Sequence, residues 1–470
     1  MRKSITFLSL LFTFHLSPFT SALAQNADSI QVSKIFSTAL KDDMAYKALY
    51  DLCKNSGKRI SGSPLADTAV NHMAKWLKQF GADTVWLQEC MVPHWVRGEQ
   101  EVAQIISNKT YHDVKVCALG GSIGTPKEGL KAEVIEVNGL GELQKLDPNE
   151  IKGKIVFYNK PMDPSSIYTF NAYGNTVGQR WAGASEAAKF GAIGVVVRSM
   201  ASHIDDHPHT GSMGYDTSVN KIPAIAICTR DAELLSASLK KNKSLQFWFR
   251  TNCETLPDVK SHNVIAEIKG SKYPNEVIVI GGHLDAWDMA EGAHDDGAGI
   301  VHSMEVIYLF KKLGIKPEHT IRVVLFMNEE NGTRGAKAYA AYAKTSGEKH
   351  IAAIESDAGG FTPRGFTLDC GDAYRDYIKT KFAPVLCYFG ICDFSRNGSG
   401  ADVGHLGELC PLLAELSPDS QRYFDHHHAE NDVYEEVNDR ELELGAAACA
   451  SFIYMIDKYG LGTERTSNDD

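Results

Sequence analysis

The stretch Val277-Ile278-Val279-Ile280-Gly281-Gly282-His283-Leu284-Asp285 decides the fold class of this chain. Its four β-branched apolar residues are typical of a strand that is buried on both faces, and its last residues are polar. The residues from 297 to 313 then carry apolar side chains at helical spacing. A buried strand followed by a helix is the repeating unit of an α/β sheet.

The alternation of apolar strand patterns and helical patterns continues after residue 313. Residues 321–326 form a second apolar β-branched run, 336–344 have a helical pattern, and 351–354 form a third apolar run. Residues 412–416 are a candidate fourth strand. Strands that alternate with helices predict an α/β sheet, mixed but largely parallel, with helices covering both of its faces.

Polar side chains follow each of the first three strands. His283 and Asp285 follow the first, Glu329 and Glu330 follow the second, and Asp357 follows the third. The carboxyl ends of the strands face the ligand crevice in an α/β sheet. These side chains are therefore expected to converge on one site, together with Asp295 and Asp296 between the first strand and its helix.

Carboxylates gathered in one crevice repel each other unless cations lie between them. Two imidazoles with three carboxylates suit a pair of zinc ions. His283 is expected to bind one ion, and a second histidine, from the His-rich stretch at 425–432, is expected to bind the other. Asp295 would bridge the two ions. Glu330 and Asp357 would each bind one of them.

Two further carboxylates have natural roles beside the metal. Asp285 lies two residues beyond His283 and is predicted to accept the second N–H of that imidazole, which fixes the ring. Glu329 precedes a predicted ligand without being one. It is predicted to act as general base, because a carboxylate there can take a proton from an activated water and pass it to a leaving amine.

These motifs resemble those of the M28 family of di-zinc exopeptidases, and the resemblance runs from about Arg59 to the end of the last helix. It implies the zinc-exopeptidase fold, two Zn²⁺ per chain and a peptide substrate. It also implies Asp295 as the bridging carboxylate and Glu329 as the base. The last ligand of the family is a histidine four residues before an aspartate, and counting back from Asp432 gives His428. The resemblance further suggests a homodimer.

The domain organisation is inferred from a change in the residue pattern near residue 118. Residues 118–254 carry a Gly-rich connector and then short β-rich units, and they resemble a mainly β protease-associated (PA) domain inserted into the peptidase fold. The prediction is a leader at 1–24, an amino-terminal part of the peptidase domain at 25–117, this insert, and the di-zinc domain at 255–470.

The first 24 residues are typical of a signal peptide. Arg2 and Lys3 precede an apolar stretch that is too short for a comfortable membrane span, and small residues at Ala22 and Ala24 suit cleavage. The prediction is export to the periplasm or the extracellular space, with no membrane attachment after cleavage. The chain has 48 Lys and Arg against 59 Asp and Glu, and it shows no basic cluster, which argues against nucleic acid as a partner.

Several residues keep more than one interpretation. Asp402 fits either the wall of a substrate pocket or the cap of a Gly-rich turn. His203, His207 and His209 fit an ordinary polar loop better than a second metal site. The acidic run at 435–443 is typical of a solvated face, and a closing helix is predicted over 446–456. The ten cysteines show no CxxC pair and fit either disulfides or buried thiols.

Three functions remain open at the level of sequence. The first is an exported exopeptidase that hydrolyses dipeptides or short peptides from either the carboxyl or the amino end. The second is a non-catalytic receptor-like binding protein on the same fold, a class in which metal ligands are lost. The third is a single-zinc acyl-transfer enzyme such as a glutaminyl cyclase, which metal stoichiometry would distinguish.

Overall fold

The computed structural model describes residues 17–107 and 110–462, with side chains described from residue 27 onward. Residues 1–16 of the predicted leader lie outside this range, and residues 17–24 are described only as part of the first helix. Among the described residues, no helix has the length and apolar character needed to cross a membrane.

The secondary structure alternates strands and helices along the described chain. The strands are β1 (Thr84–Val96), β2 (Val102–Ser107), β3 (Thr110–Val114), β4 (Val116–Ala118), β5 (Leu130–Val137), β6 (Ile155–Tyr158), β7 (Gly194–Arg198), β8 (Ala224–Ile227), β9 (Gln246–Arg250), β10 (Glu254–Ile268), β11 (Tyr273–His283), β12 (His319–Phe326), β13 (Lys349–Glu355), β14 (Pro363–Cys370) and β15 (Leu412–Pro418).

The helices differ widely in length. They are α1 (Ser17–Asp42), α2 (Met44–Ser56), α3 (Pro64–Gln79), α4 (Leu140–Leu143), α5 (Pro148–Ile151), α6 (Thr169–Gly174), α7 (Gly178–Trp181), α8 (Gly183–Lys189), α9 (Thr229–Lys241), α10 (Ala298–Leu313), α11 (Arg334–Thr345), α12 (Asp372–Lys381), α13 (Ala383–Leu386), α14 (Tyr423–His426) and α15 (Asp439–Tyr459). A π-helical turn spans Ala293–Gly297, and 3-10 turns span Cys387–Phe389, Val403–Leu406 and Tyr434–Glu436.

The first sheet has seven strands in the order β1-β10-β12-β11-β13-β15-β14. Its centre is parallel, because β11 pairs in parallel with both β12 and β13, and β13 pairs in parallel with β15. Its two margins are antiparallel. The predicted mixed α/β sheet is thus confirmed, but only three of its six strand pairs are parallel. The three strands with polar ends are direct neighbours at its centre.

Helices cover both faces of this sheet. On one face α10 packs on β11 and against α15, α2 and α1, within one apolar cluster. On the other face α11 packs near β1 and the turn Val403–Leu406, over a smaller cluster that includes Phe326 and Tyr339. Burial on both faces explains why the central strands are continuous apolar runs rather than alternating ones.

The second sheet has eight strands in the order β3-β2-β9-β5-β6-β7-β8-β4. Strands β5 to β8 are parallel, and α9 lies over one side of them. Residues 118–254 contain six helices as well as five complete strands, so the expectation of a mainly β insert is wrong, and this part of the chain is α/β. The parallel strands require crossover connections, which the short helices supply.

Two details of the carboxyl-terminal region differ from expectation or add to it. The closing helix α15 begins at Asp439, and Glu443 within the acidic run is 1% exposed, so that run is not wholly a solvated face. Its burial arises because α15 packs against α10 and α2.

Cys387 and Cys392 form a disulfide, and the other eight cysteines are free.

Candidate metal centre

The candidate site lies at the carboxyl ends of three adjacent parallel strands. β11 ends at His283, β12 is followed by Glu329 and Glu330, and β13 is followed by Asp357. Two glycines before His283 let the chain approach its neighbours closely. A Cβ atom on Gly282 would lie only 2.3 Å from the carboxylate of Asp296 and 3.0 Å from a backbone oxygen of the β13 segment.

His283 presents one ring nitrogen to the site and uses the other for support. Its Nε2 lies 3.1 Å from Asp295 Oδ1 and 3.4 Å from Asp357 Oδ1. Its Nδ1 lies 2.9 Å from the backbone oxygen of Asp285, which only accepts, so Nδ1–H is the donor there. The lone pair of Nε2 is thereby left free to bind a cation.

The role expected for the Asp285 side chain is corrected in detail. Its carboxylate is 3.9 Å from His283 Nδ1, beyond hydrogen-bonding distance, so the backbone oxygen rather than the carboxylate orients the ring. The carboxylate oxygen Oδ1 instead accepts the backbone N–H groups of Asn328 at 2.6 Å and Glu329 at 3.0 Å. Asp285 therefore fixes the loop that carries Glu329.

Asp295 lies in the π-helical turn before α10 and is positioned by two other aspartates. The carboxylate of Asp432 accepts the backbone N–H groups of His294 at 2.7 Å and of Asp295 at 3.1 Å. The carboxylate of Asp296 accepts from His283 N and Gly299 N, each at 2.9 Å. The peptide bond between Asp295 and Asp296 is cis.

His428 completes the cluster from the far end of the chain. Its Nε2 lies 3.2 Å from Asp295 Oδ2 and 3.1 Å from Glu330 Oε2. Of its two neighbours, His427 approaches Asp295 only to 3.8 Å, and His426 stacks on the ring of His294. Among the three adjacent histidines, His428 is thus the one whose ring nitrogen contacts two of the predicted ligands.

The donor set fits a pair of divalent cations. The two oxygens of Asp295 face different imidazoles, Oδ1 toward His283 and Oδ2 toward His428, which is the arrangement of a bridging carboxylate. In the described part of the chain, every group of residues able to hold a cation includes His283 or Asp295. His203, His207 and His209 belong to none of these groups among the described residues.

Charge crowding shifts the pKa values of the cluster in opposite directions. Burial and the nearby Asp295 raise the pKa of Glu330 to about 7. The carboxylates of Glu330 and Asp295 outweigh burial and raise the pKa of His428 to about 10. Hydrogen bonds from His283 and His428 outweigh burial and hold the pKa of Asp295 well below its usual range. Bound divalent cations would take the place of the imidazole protons in this balance.

Glu329 lies on the wall of a cavity of about 580 Å³ beside the cluster. It is half-buried, and desolvation together with the charge of Asp357 raises its pKa well above the usual range of a glutamate. Among the described residues, Glu330 forms an ion pair with an imidazole and Glu329 forms none. This position suits a group that exchanges a proton with a substrate.

Asp402 does not lie where a pocket residue was expected. It is 1% exposed and is absent from the residues that line the cavity. Its backbone N–H donates to Glu355 Oε1 at 3.3 Å, and burial with the charge of Glu355 raises the pKa of its carboxyl well above the usual range. The structure therefore puts Asp402 beneath the site, because the Gly-rich turn folds inward over β13.

The opposite wall of the cavity was missed by the sequence interpretation. It is formed by segments that connect strands of the second sheet and by the segment before His428, namely Phe170, Tyr173, Arg180, Trp181, Met213 and Tyr423. No motif marks them. The signal that was available is a concentration of aromatic residues around one arginine at 168–181, which is unusual for a connecting segment.

Comparison with known proteins places the chain among peptidases. The profile of Peptidase family M28 matches residues 263–390. The chain is 36% identical to human carboxypeptidase Q over 412 residues, which covers 88% of this chain and 85% of that protein. Mouse carboxypeptidase Q is 35% identical over the same coverage.

Solved structures agree with this result. A peptidase M28 precursor from Shewanella amazonensis superposes with a TM-score of 0.87 at 33% identity, and the match covers 92% of this chain and 97% of that one. A zinc aminopeptidase from Bacillus subtilis superposes with a TM-score of 0.60 at 19% identity, over 87% of this chain and 94% of the other, and shows a shared fold.

Proposed function

Because this chain belongs to peptidase family M28 and is a metallo-exopeptidase, we propose that it is an exported di-zinc enzyme that hydrolyses dipeptides or short peptides. The proposed ligands are His283, Asp295, Glu330, Asp357 and His428, with Asp295 shared between the two ions. The proposed general base is Glu329. A Lewis acid of this kind polarises the scissile carbonyl and lowers the pKa of water to about 7.

The observation that supports the proposal best is the geometry around Asp295. Its two carboxylate oxygens lie 3.1 Å from one imidazole nitrogen and 3.2 Å from another, and those histidines come from positions 145 residues apart. A carboxylate between two imidazoles, with two more carboxylates at the margins, is a donor set that suits zinc.

The protein residues divide the proton chemistry between them. Glu329 would accept a proton from the attacking water and deliver it to the departing amine nitrogen, which leaves as a neutral amine. Asp285 would hold the Glu329 backbone in place through its two N–H contacts. The cavity walls would exclude bulk water from the scissile bond.

The experiment that tests the proposal measures zinc content and hydrolysis together. We expect about two zinc ions per chain by mass spectrometry, and cleavage of a dipeptide panel that chelator abolishes and zinc restores. Glu329→Gln should retain zinc but lose about 10²- to 10⁴-fold in kcat. Glu408→Gln, an exposed glutamate outside the cavity, is the matched control and should behave as wild type.

The alternatives give different results in the same experiment. One zinc ion per chain with cyclisation of amino-terminal glutamine would favour the single-zinc acyl-transfer enzyme. Binding of the peptides without cleavage of any of them would favour a binding protein. The position of the cleaved bond in tripeptides would tell a carboxypeptidase from an aminopeptidase.

Export and assembly are further parts of this proposal. The amino-terminal sequence at 1–24 supports export, and mass spectrometry of the protein recovered outside the cytoplasm should give a new amino terminus near Gln25. A homodimer is proposed on the basis of the family, and sedimentation equilibrium of the mature protein would measure it.

A further inference from the structure

Arg180 in α7 carries a guanidinium group that is buried in the cavity wall without a carboxylate partner. It is 6% exposed, and among the described residues no carboxylate oxygen lies within 4.0 Å of its nitrogens. Its contacts are neutral: the backbone oxygen of Ser212 at 3.3 Å, that of Thr210 at 3.4 Å and the hydroxyl of Tyr173 at 2.8 Å.

The other buried arginines of the described chain are better satisfied. Arg97, Arg198 and Arg322 each contact one or two carboxylates. Arg59 has no carboxylate contact, but each of its three nitrogens donates to a backbone carbonyl at 2.5–2.9 Å. Burying a charge without a counter-ion is costly. Among the buried arginines of the described chain, Arg180 therefore has the weakest set of contacts, and its charge is available to bind an external anion.

The guanidinium lies one imidazole ring away from the candidate metal centre. Arg180 Nη1 is 3.4 Å from His428 Nδ1, while Nε2 of the same ring faces Asp295 and Glu330. Both Arg180 and the metal-centre residues line the same cavity. Asp295, Glu330 and Asp357 of that cavity contact imidazoles. Glu329 does not, but it also forms no ion pair with Arg180 among the described residues, so no carboxylate of the cavity neutralises the guanidinium.

We propose that Arg180 binds the α-carboxylate of the residue that directly follows the scissile bond. The inference rests on the proposed function and specifies its substrate class as peptides that end one residue beyond the cleaved bond. Only one imidazole ring separates the guanidinium from the residues of the metal centre, so an anion bound by Arg180 has to lie close to the scissile bond in the substrate chain, where one extended residue spans at most about 3.6 Å. The fork of an arginine suits a carboxylate bidentately.

The walls around Arg180 fit the rest of such a residue. Tyr173 lies under the guanidinium, with its ring centroid 5.5 Å from the Arg180 Cζ atom. Phe170, Trp181 and Tyr423 line the same cavity and offer apolar surface to a side chain. This wall belongs to α6, α7 and the segment before His428, whereas the metal centre belongs mainly to the first sheet.

The test compares a dipeptide with its carboxyl-terminal amide, using the zinc-loaded protein. Alanyl-phenylalanine and alanyl-phenylalanine amide share the scissile bond and differ in the charge that Arg180 would bind. We expect wild type to prefer the acid by about 100-fold in kcat/KM. Arg180→Met should remove that preference, mainly by raising KM for the acid, and leave the amide within about threefold.

Three additional measurements make the result specific. Arg180→Lys should restore part of the preference, because a point charge replaces the fork. Lys344→Met is the matched control, since Lys344 is an exposed cation on α11 that does not line the cavity, and it should leave both substrates unchanged. Calorimetric binding of acid and amide to Glu329→Gln measures the same discrimination without turnover.

The outcomes separate this inference from the proposed function. If Arg180→Met loses zinc and slows acid and amide equally, Arg180 only supports His428 and the inference is overturned. An equal preference of wild type for acid and amide also overturns it. If no peptide is cleaved but the acid still binds more tightly in an Arg180-dependent way, the proposed function fails while the carboxylate site stands.

Discussion

Asp295 and His428 set the geometry of the site at the scale of single residues. Asp295 directs each carboxylate oxygen to a different imidazole, and His428 holds its ring in place from a left-handed backbone conformation, with φ at 63°. Such a conformation is uncommon for a residue with a side chain, and surrounding contacts must maintain it. For His428 those contacts are the backbone of Thr210 and the stacked ring of His427, with centroids 3.6 Å apart.

The three adjacent histidines give a residue-scale prediction with an internal control. His428→Ala should lose one of two zinc ions and lower kcat/KM by more than about 100-fold, because it removes a ligand rather than a supporting group. His426→Ala should keep both ions, since its ring stacks on His294 and lies away from Asp295. Zinc content of the folded variants decides the matter, and equal zinc loss in both would contradict the assignment of His428.

At the scale of elements, the connection between β7 and β8 supports the metal centre from the second sheet. His209 donates from Nδ1 to the backbone oxygen of His427 at 2.7 Å, and Thr210 N donates to the backbone oxygen of His428 at 3.0 Å. The Thr210 hydroxyl donates to the Ala118 backbone oxygen at 2.8 Å. The last predicted ligand is therefore held by a loop more than 200 residues earlier in the chain.

This arrangement predicts that the loop tunes metal affinity. His209→Ala should weaken binding of one zinc ion by about 10-fold, because outer contacts typically contribute that much. His203→Ala is the control from the same loop, as its ring is half exposed and pairs with the carboxylates of Asp205 and Asp425, whereas His209 contacts the backbone oxygen of His427. Competition with a zinc chelator measures both affinities. An unchanged affinity in His209→Ala would show that the loop is not needed to hold His428.

At the scale of the whole molecule, a buried carboxyl pair joins three helices on one face of the first sheet. Glu305 of α10 and Glu443 of α15 accept the backbone N–H groups of Ala45 and Tyr46 at the start of α2, at 3.1 and 3.0 Å. Burial raises the pKa of Glu443 to about 7, and burial with the charge of Glu443 raises the pKa of Glu305 well above its usual range. Asp43 adds to both shifts.

Because Glu305 and Glu443 are buried side by side, we expect the free energy of unfolding to depend on pH. Because the folded-state pKa of Glu443 is raised, its contribution is fully present below about pH 4.5 and is lost as the pH rises through about 7. Glu443→Gln mimics the protonated form, so it should match wild type at pH 5 and exceed its Tm by about 2–4 °C at pH 8. Thermal unfolding of both proteins with saturating zinc measures this.

If the Tm of wild type and the Tm of Glu443→Gln changed with pH in the same way, the Glu305–Glu443 pair would not be the source of the pH dependence. Glu408→Gln is a useful comparison, because Glu408 is exposed and lies outside this helix interface, so it should leave the profile unchanged. Zinc saturation keeps titration at the metal centre common to all three proteins.

The sequence by itself determined the α/β fold class and the set of residues that meet at the strand ends. Continuous β-branched runs identify β11, β12 and β13, because only strands covered on both faces bury every side chain. Parallel strands bring their carboxyl ends to one edge, so His283, Glu330 and Asp357 are expected together from local pattern alone. The family resemblance added His428, which local pattern left open among three histidines.

The tertiary structure alone decided which atoms meet and what forms the other wall. The Asp285 side chain contacts the Glu329 loop instead of the His283 ring, and Asp402 lies beneath the site. Arg180 and His428 are 248 residues apart in the chain and 3.4 Å apart in space. Hydrophobic periodicity reports how deeply a residue is buried, but it carries no information about its partner, because that partner is set by how distant elements pack.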